Sequence, residues 1–207
     1  MASAVSLLGR RVRHVDGLSG HTMDILIISI DHFVQCVKTG LEAIPLQERK
    51  DRLESLLRRE ISARKVQFIA EEAHPLYVTI AQRLGNEHDP QMPPKNIYMN
   101  DDERRGAEIY DALKNRPTHA EQRGDEWVEI EHRIPEDDIR KDFFVTETLK
   151  AAGNAKSIII LCGDMHVDAV KEKLERYGHR VEKDESLITD KRWVPSEDAG
   201  RKSVCRH

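Results

Sequence analysis

The sequence predicts an α/β fold: a single domain of about five mostly parallel strands, with helices on both faces. Three observations carry this reading. Apolar runs rich in Ile, at 25–30 and 157–162, are bounded by polar residues, as is a shorter run at 66–70. Such runs read as strands buried on both faces of a parallel sheet. Between them lie stretches of helical period, with Leu53, Leu56, Leu57 and Ile61 on one face and Val167, Val170, Leu174 and Tyr177 on another. Strands that alternate with helices imply βαβ units.

The elements follow in order. The first strand covers 24–30, and Asp31 is placed to cap a short helix through Gln35. Pro45 opens a helix that runs to Arg64, and a second strand follows at 65–70. Pro75 stands in the first turn of a helix that stops at Leu84-Gly85, and 86–94 is a polar, Pro-containing loop. A third strand at 95–99 ends in Asn100-Asp101-Asp102, where acids suit the positive pole of a helix start. The stretch 115–135 is polar and is assigned no element. Pro135 with Glu136, Asp137 and Asp138 starts a helix to Ala152-Gly153. The fourth strand is 156–162, its helix ends at Gly178, and a short fifth strand covers 179–182.

Composition bounds the function. The chain has 207 residues, enough for one domain with tails, so 1–22 reads as a flexible extension, 23–195 as the domain and 196–207 as a flexible tail. A net charge of -4 offers no global attraction to nucleic acid or anionic membrane. No apolar run approaches the roughly 20 residues a membrane helix needs. Three cysteines without CxxC spacing speak against a disulfide framework or structural zinc and point to the cytoplasm.

Chemistry concentrates past the strand ends, where open parallel sheets bind ligands. Asp31-His32 follows the first strand, Glu71-Glu72 the second, and Gly163-Asp164-Met165-His166 the fourth. His32, His166, Asp31 and Asp164 supply nitrogen and oxygen ligands suited to Zn²⁺, Mn²⁺ or Mg²⁺. Glu71 or Glu72 is then the general base, one at most, because adjacent residues at a strand end point different ways. Near a positive helix pole, His166 is expected to have a lowered pKa. Gly163 permits a tight turn and a close ligand. Arg104 or Arg105 is placed to clamp a substrate carboxylate or phosphate. Arg140 and Lys141 reach toward the same rim. Asp164 also suits a plain N-cap, Phe143 and Phe144 read as core, and Cys162 reads as packing. His74, His88, His119, His132 and His179 read as surface residues.

These pieces together resemble the TraB/Tiki and erythromycin-esterase/ChaN-like superfamily. The resemblance runs over 29–32, 69–72, Arg104-Arg105 and 163–166, within a span of about 24–183. It implies His32 and His166 as paired histidines, Glu71 or Glu72 as the acid and Arg104 or Arg105 as the arginine. That family includes metal-dependent peptidases, a metal-independent esterase and haem-binding proteins. This chain departs from its pattern at Ser29, where the family has glycine. Residues 159–164 and 177–181 are also similar to PIN/NYN nucleases, with Asp31, Glu71 or Glu72, and Asp164 as Mg²⁺ ligands. The expected function is metal-assisted hydrolysis of a small ester, amide or peptide-like substrate. The alternatives are a Mg²⁺-dependent ribonuclease and a non-catalytic module for a nucleotide, haem or other small ligand.

Overall fold

A computed structural model describes residues 21–37, 44–73, 75–88, 94–123, 126–188 and 193–194. The expected extension (all but His21 and Thr22) and the expected tail lie outside these residues. The main sheet has five strands, β1 (Asp24–Ile30), β2 (Phe68–Glu71), β3 (Lys95–Asn96), β6 (Ser157–Gly163) and β7 (Arg180–Asp184), in the spatial order β3-β2-β6-β1-β7. Every pairing in it is parallel. The late strand β6 therefore slots between β1 and β2.

Strand alternation sends consecutive side chains to opposite faces. Leu26, Ile28, Ile30, Ile69, Ile159 and Leu161 meet α2 (Ile44–Arg64) and α3 (Ile80–His88). The other face offers Ile25, Ile27, Ala70, Ile158, Ile160 and Cys162 to α6 (Glu136–Ala152) and α7 (Asp164–Arg176). Helices cover both faces, as the fully apolar strands require. The core stripe of α2 is Leu53, Leu56, Leu57 and Ile61, and that of α7 is Val167, Val170 and Leu174.

Smaller elements complete the rim. A single turn, α1 (His32–Gln35), follows β1, with Val34 N–H donating to the Asp31 carbonyl at 2.9 Å. Past β3, α4 (Asp101–Gly106) has Asn100 as its N-cap in a capping box with Glu103, and α5 (Tyr110–Lys114) follows. The strands β4 (Thr118–Arg123) and β5 (Glu126–His132) form an antiparallel hairpin, which β8 (Trp193–Val194) joins in a second small sheet.

The structure corrects several boundaries. The polar stretch 115–135 holds the hairpin: THAEQR carries one apolar residue, and the short alternation of Val128 and Ile130 in EWVEIEH, with Ile130 fully buried, is diluted by charged neighbours. Residues 75–78 form a turn, not helix. The helix starts at Ile80 because the Thr79 hydroxyl accepts the Gln82 N–H at 3.1 Å and caps it. Gly85 lies buried inside that helix and does not stop it. The third strand shrinks to two residues, and the second begins only at Phe68. Among the described residues, no helix is long and apolar enough to cross a membrane.

Candidate functional site

Parallel registry brings the carboxyl ends of β1, β2 and β6 to one edge. Ile30 lies opposite Gly163, and Glu71 lies opposite Leu161. The backbones of His32, Glu71, Glu72 and His166 therefore share a rim. The side chain of His32 is outside what the structure describes.

The last two acids of this strand end part company. Glu72 N–H still donates to the Leu161 carbonyl at 2.8 Å, so the extended alternation continues one residue past β2. Glu71 turns to the face of α2 and α3, and Glu72 turns to the face of α6 and α7. Both are fully buried.

Around Glu72 the geometry is dense. Arg140 Nη2 donates to its Oε1 at 2.8 Å, and the Gly163 N–H donates to Oε2 at 3.3 Å. His166 Nε2 lies 3.8 Å from Oε1, and the ring meets Phe144 edge-on at 5.5 Å. His166 is 2% exposed, and its Nδ1 has no partner among the described residues. Burial pushes its pKa down to about 3; Glu72 opposes the shift and Arg140 adds to it. The imidazole is therefore neutral across the physiological range. The expected direction holds, but burial, not the helix pole, is the leading cause.

Charges alternate outward from Glu72. Arg140 Nη1 lies 3.9 Å from Asp137 Oδ1; Asp137 is bonded to Arg116, and Arg116 Nη1 lies 3.2 Å from Glu131 Oε2. Asp137 also accepts the Ile134 N–H at 3.0 Å, which ties the chain to the start of α6. The series Glu72, Arg140, Asp137, Arg116, Glu131 leads from the buried strand end to a surface cavity of about 470 Å³. Four cations line it, Arg104, Lys114, Arg116 and Arg140, together with the acids Asp101 and Glu131.

The two candidate arginines are thereby separated. Arg104 lines this cavity, 3.4 Å from Asp101 and 4.8 Å above the Tyr98 ring. Arg105 pairs with Asp102 at 3.1 Å, packs 4.3 Å from the Tyr110 ring and borders a different depression. Arg116 escaped the sequence reading. Its local mark is the following Pro117, and its partners come from β5, α6 and, through the Met165 sulfur 3.2 Å from Nη1, α7.

On the opposite face, Glu71 Oε1 accepts the Thr79 hydroxyl at 2.9 Å, while Oε2 has no partner among the described residues. Desolvation raises the Glu71 pKa to about 7, against the pull of hydrogen bonds from Thr79 and Gln82. Glu71 and Glu72 thus belong to separate environments, and only Glu72 contacts His166.

The remaining residues sit at the β1 and β6 ends. Asp31 lies 3.7 Å from Arg49 Nη1, and Asp164 accepts the Ser29 hydroxyl at 3.3 Å. Asp164 is not the cap of α7; Gly163 holds that position, with no side-chain cap. Gly163 has an ordinary negative φ of -61°, so its turn makes no demand for glycine, and its N–H is what reaches Glu72. Among the described residues, no group of three His, Cys, Asp or Glu side chains converges as a metal requires. A guanidinium already holds Glu72, so that carboxylate is poorly suited to a cation. Asp31, Asp164 and His32 remain as the donors for one.

Other histidines depart from expectation or extend it. His179 is buried, and its Nδ1 accepts the Met23 N–H at 3.3 Å. His119 Nδ1 and His132 Nε2 pair across the hairpin at 2.8 Å. His74 lies outside the described residues, as does the side chain of His88. Cys162 is fully buried and its thiol pKa is driven well up, which makes it a packing residue; Phe144 is core. Comparison with known protein families, curated proteins and solved structures finds no match, so this site is defined by its own chemistry.

Proposed function

We propose that the protein is a hydrolase of a small ester, amide or peptide-like substrate, acting at the rim between β2 and β6. One observation carries this reading: Glu72, Arg140, the Gly163 N–H and the neutral His166 meet where the strands end beside a cavity. Glu72 serves as the base that takes a proton from water, and Arg140 holds its oxygen in place. His166 uses its unpartnered Nδ1 to orient that water or the leaving group. Arg104 steadies an anionic group of the substrate.

A divalent metal is proposed only for Asp31, Asp164 and His32, where it would act as a Lewis acid on the scissile group. No residue role above depends on it. Metal content of the purified chain, measured before and after chelation, tests that part alone.

A second reading is a non-catalytic small-ligand module. The complete burial of Glu72 and near-complete burial of His166 favour it, because water must reach a working base. Turnover of chromogenic esters and amides separates the two readings. Glu72→Gln and His166→Asn should each lower kcat by about 10²- to 10⁴-fold, the range for lost acid–base catalysis. Turnover that survives both changes, in folded protein, overturns the hydrolase reading. Stoichiometric ligand uptake without turnover favours the second.

A further inference from the structure

We propose that the cavity beside the rim is a binding site for a phosphoryl group, carried by a small organic phosphate. The inference rests on the hydrolase reading and deepens it by naming a substrate class; it shares Arg104 and Arg140 with that reading and adds Lys114 and Arg116. Arg104, Lys114, Arg116 and Arg140 come from α4, α5, the segment before β4, and α6. Four cations from four parts of the chain converge on one space of about 470 Å³. Like charges converge at a cost unless an anion answers them.

The anions present are of two kinds. Asp137 and Glu72 are buried and hold Arg116 and Arg140 from behind. They fix the direction of each guanidinium and remain in place. Asp101 and Glu131 line the cavity itself and are each 53% exposed. Their contacts, 3.4 Å to Arg104 and 3.2 Å to Arg116, join a largely buried guanidinium to a carboxylate that is half in solvent, so the acid can turn to water while the guanidinium stays. A ligand anion displaces them cheaply and takes over their donors. Buried acids thus preorganise the arginines, and exposed acids hold the place of the ligand.

The donor set favours phosphate over carboxylate. Guanidinium forks match phosphate oxygens two at a time, and Lys114 adds a point charge. A carboxylate, with two oxygens and a single charge, answers fewer of these donors than a phosphate does, even with Arg116 and Arg140 each held on one side by a buried acid. Tyr110 and Leu113 on the same wall offer an apolar surface to the organic part.

Titration of the full chain with inorganic phosphate and with phenyl phosphate, followed by calorimetry, tests the site. Saturable binding is expected for both probes, tighter for phenyl phosphate and weaker as salt rises. Tighter inorganic phosphate would instead assign the site to the free ion and overturn the organic part. Arg104→Ala and Lys114→Ala should each weaken binding about ten-fold. Asp101→Asn and Glu131→Gln should strengthen it about two- to five-fold, which a merely structural role would not produce. Binding that is absent at millimolar phosphate, or unchanged in the Arg104→Ala/Lys114→Ala double variant, overturns the proposal. Phosphate binding with these effects but no hydrolysis sinks the hydrolase reading and leaves this one standing. Hydrolysis of neutral esters that phosphate does not inhibit sinks this one alone.

Discussion

Glu71 and His166 are buried titratable groups with opposite consequences for pH. Glu71 keeps its proton in the folded chain up to about pH 7 but loses it near 4.5 when unfolded. Between these values the unfolded state binds fewer protons, so stability falls as pH rises, by about 3 kcal/mol in all. His166 is the reverse. Its folded pKa of about 3 lies below the ordinary 6.5, so its contribution is complete above pH 6.5. That contribution, on the order of 5 kcal/mol, is lost as pH falls toward 3. The two slopes offset one another from about pH 4.5 to 6.5. Glu71→Gln should abolish the falling limb and stabilise the protein at pH 8. His166→Leu should flatten the acid limb. Urea denaturation across pH 3–9 reads both. At the same scale, Arg140→Met strands the buried Glu72 charge and should cost about 3–5 kcal/mol. The double change Glu72→Met/Arg140→Met should recover most of that loss. The sequence placed these residues at strand ends, because an apolar run that stops at a polar residue marks its own end. It left Glu71 and Glu72 unresolved, since which face each takes depends on extended backbone continuing one residue past β2.

Among the elements, α7 was legible except at its end, where Tyr177, expected on the apolar stripe, is the C-cap and is 43% exposed. Its core positions step by three and four, and its outward positions are charged, so helix and orientation follow from one period. Leu174→Ala on that stripe, fully buried, should cost about 2–5 kcal/mol in thermal or urea unfolding. The β4–β5 hairpin was illegible for the opposite reason. Its strands are mostly charged and polar in sequence, and among the described residues the hairpin is held by the buried Ile130 of β5 together with an ion pair. Arg116, 7% exposed, ties the start of β4 to the buried Asp137 of α6. Arg116→Met should loosen the hairpin first. Hydrogen exchange at 118–123 and 126–132 should rise well before exchange in β1 and β6 does. Equal protection throughout would show that the ion pair does not hold the second sheet. The same hidden contact explains why the cavity was only half foreseen. Arg104 announced itself beside an acidic helix start, whereas Arg116 acquires meaning only once the hairpin is folded.

At the level of the whole molecule, the parallel sheet with helices on both faces was the most readable property. Fully apolar strands separated by amphipathic helices leave few other arrangements. Strand order was not readable, because no local pattern states which strands are neighbours. That order has a cost in time. Among the described residues, β1 pairs with β6 and β7, and β2 pairs with β3 and β6. A nascent chain emerging from the ribosome must therefore carry β1 with no strand to pair it until β6 is made. Fragments cut before residue 157 should be trapped by chaperones or digested by protease, and adding the missing piece as a separate peptide should rescue them. A chain built this way commits late, and its quality control is the arrival of one central segment.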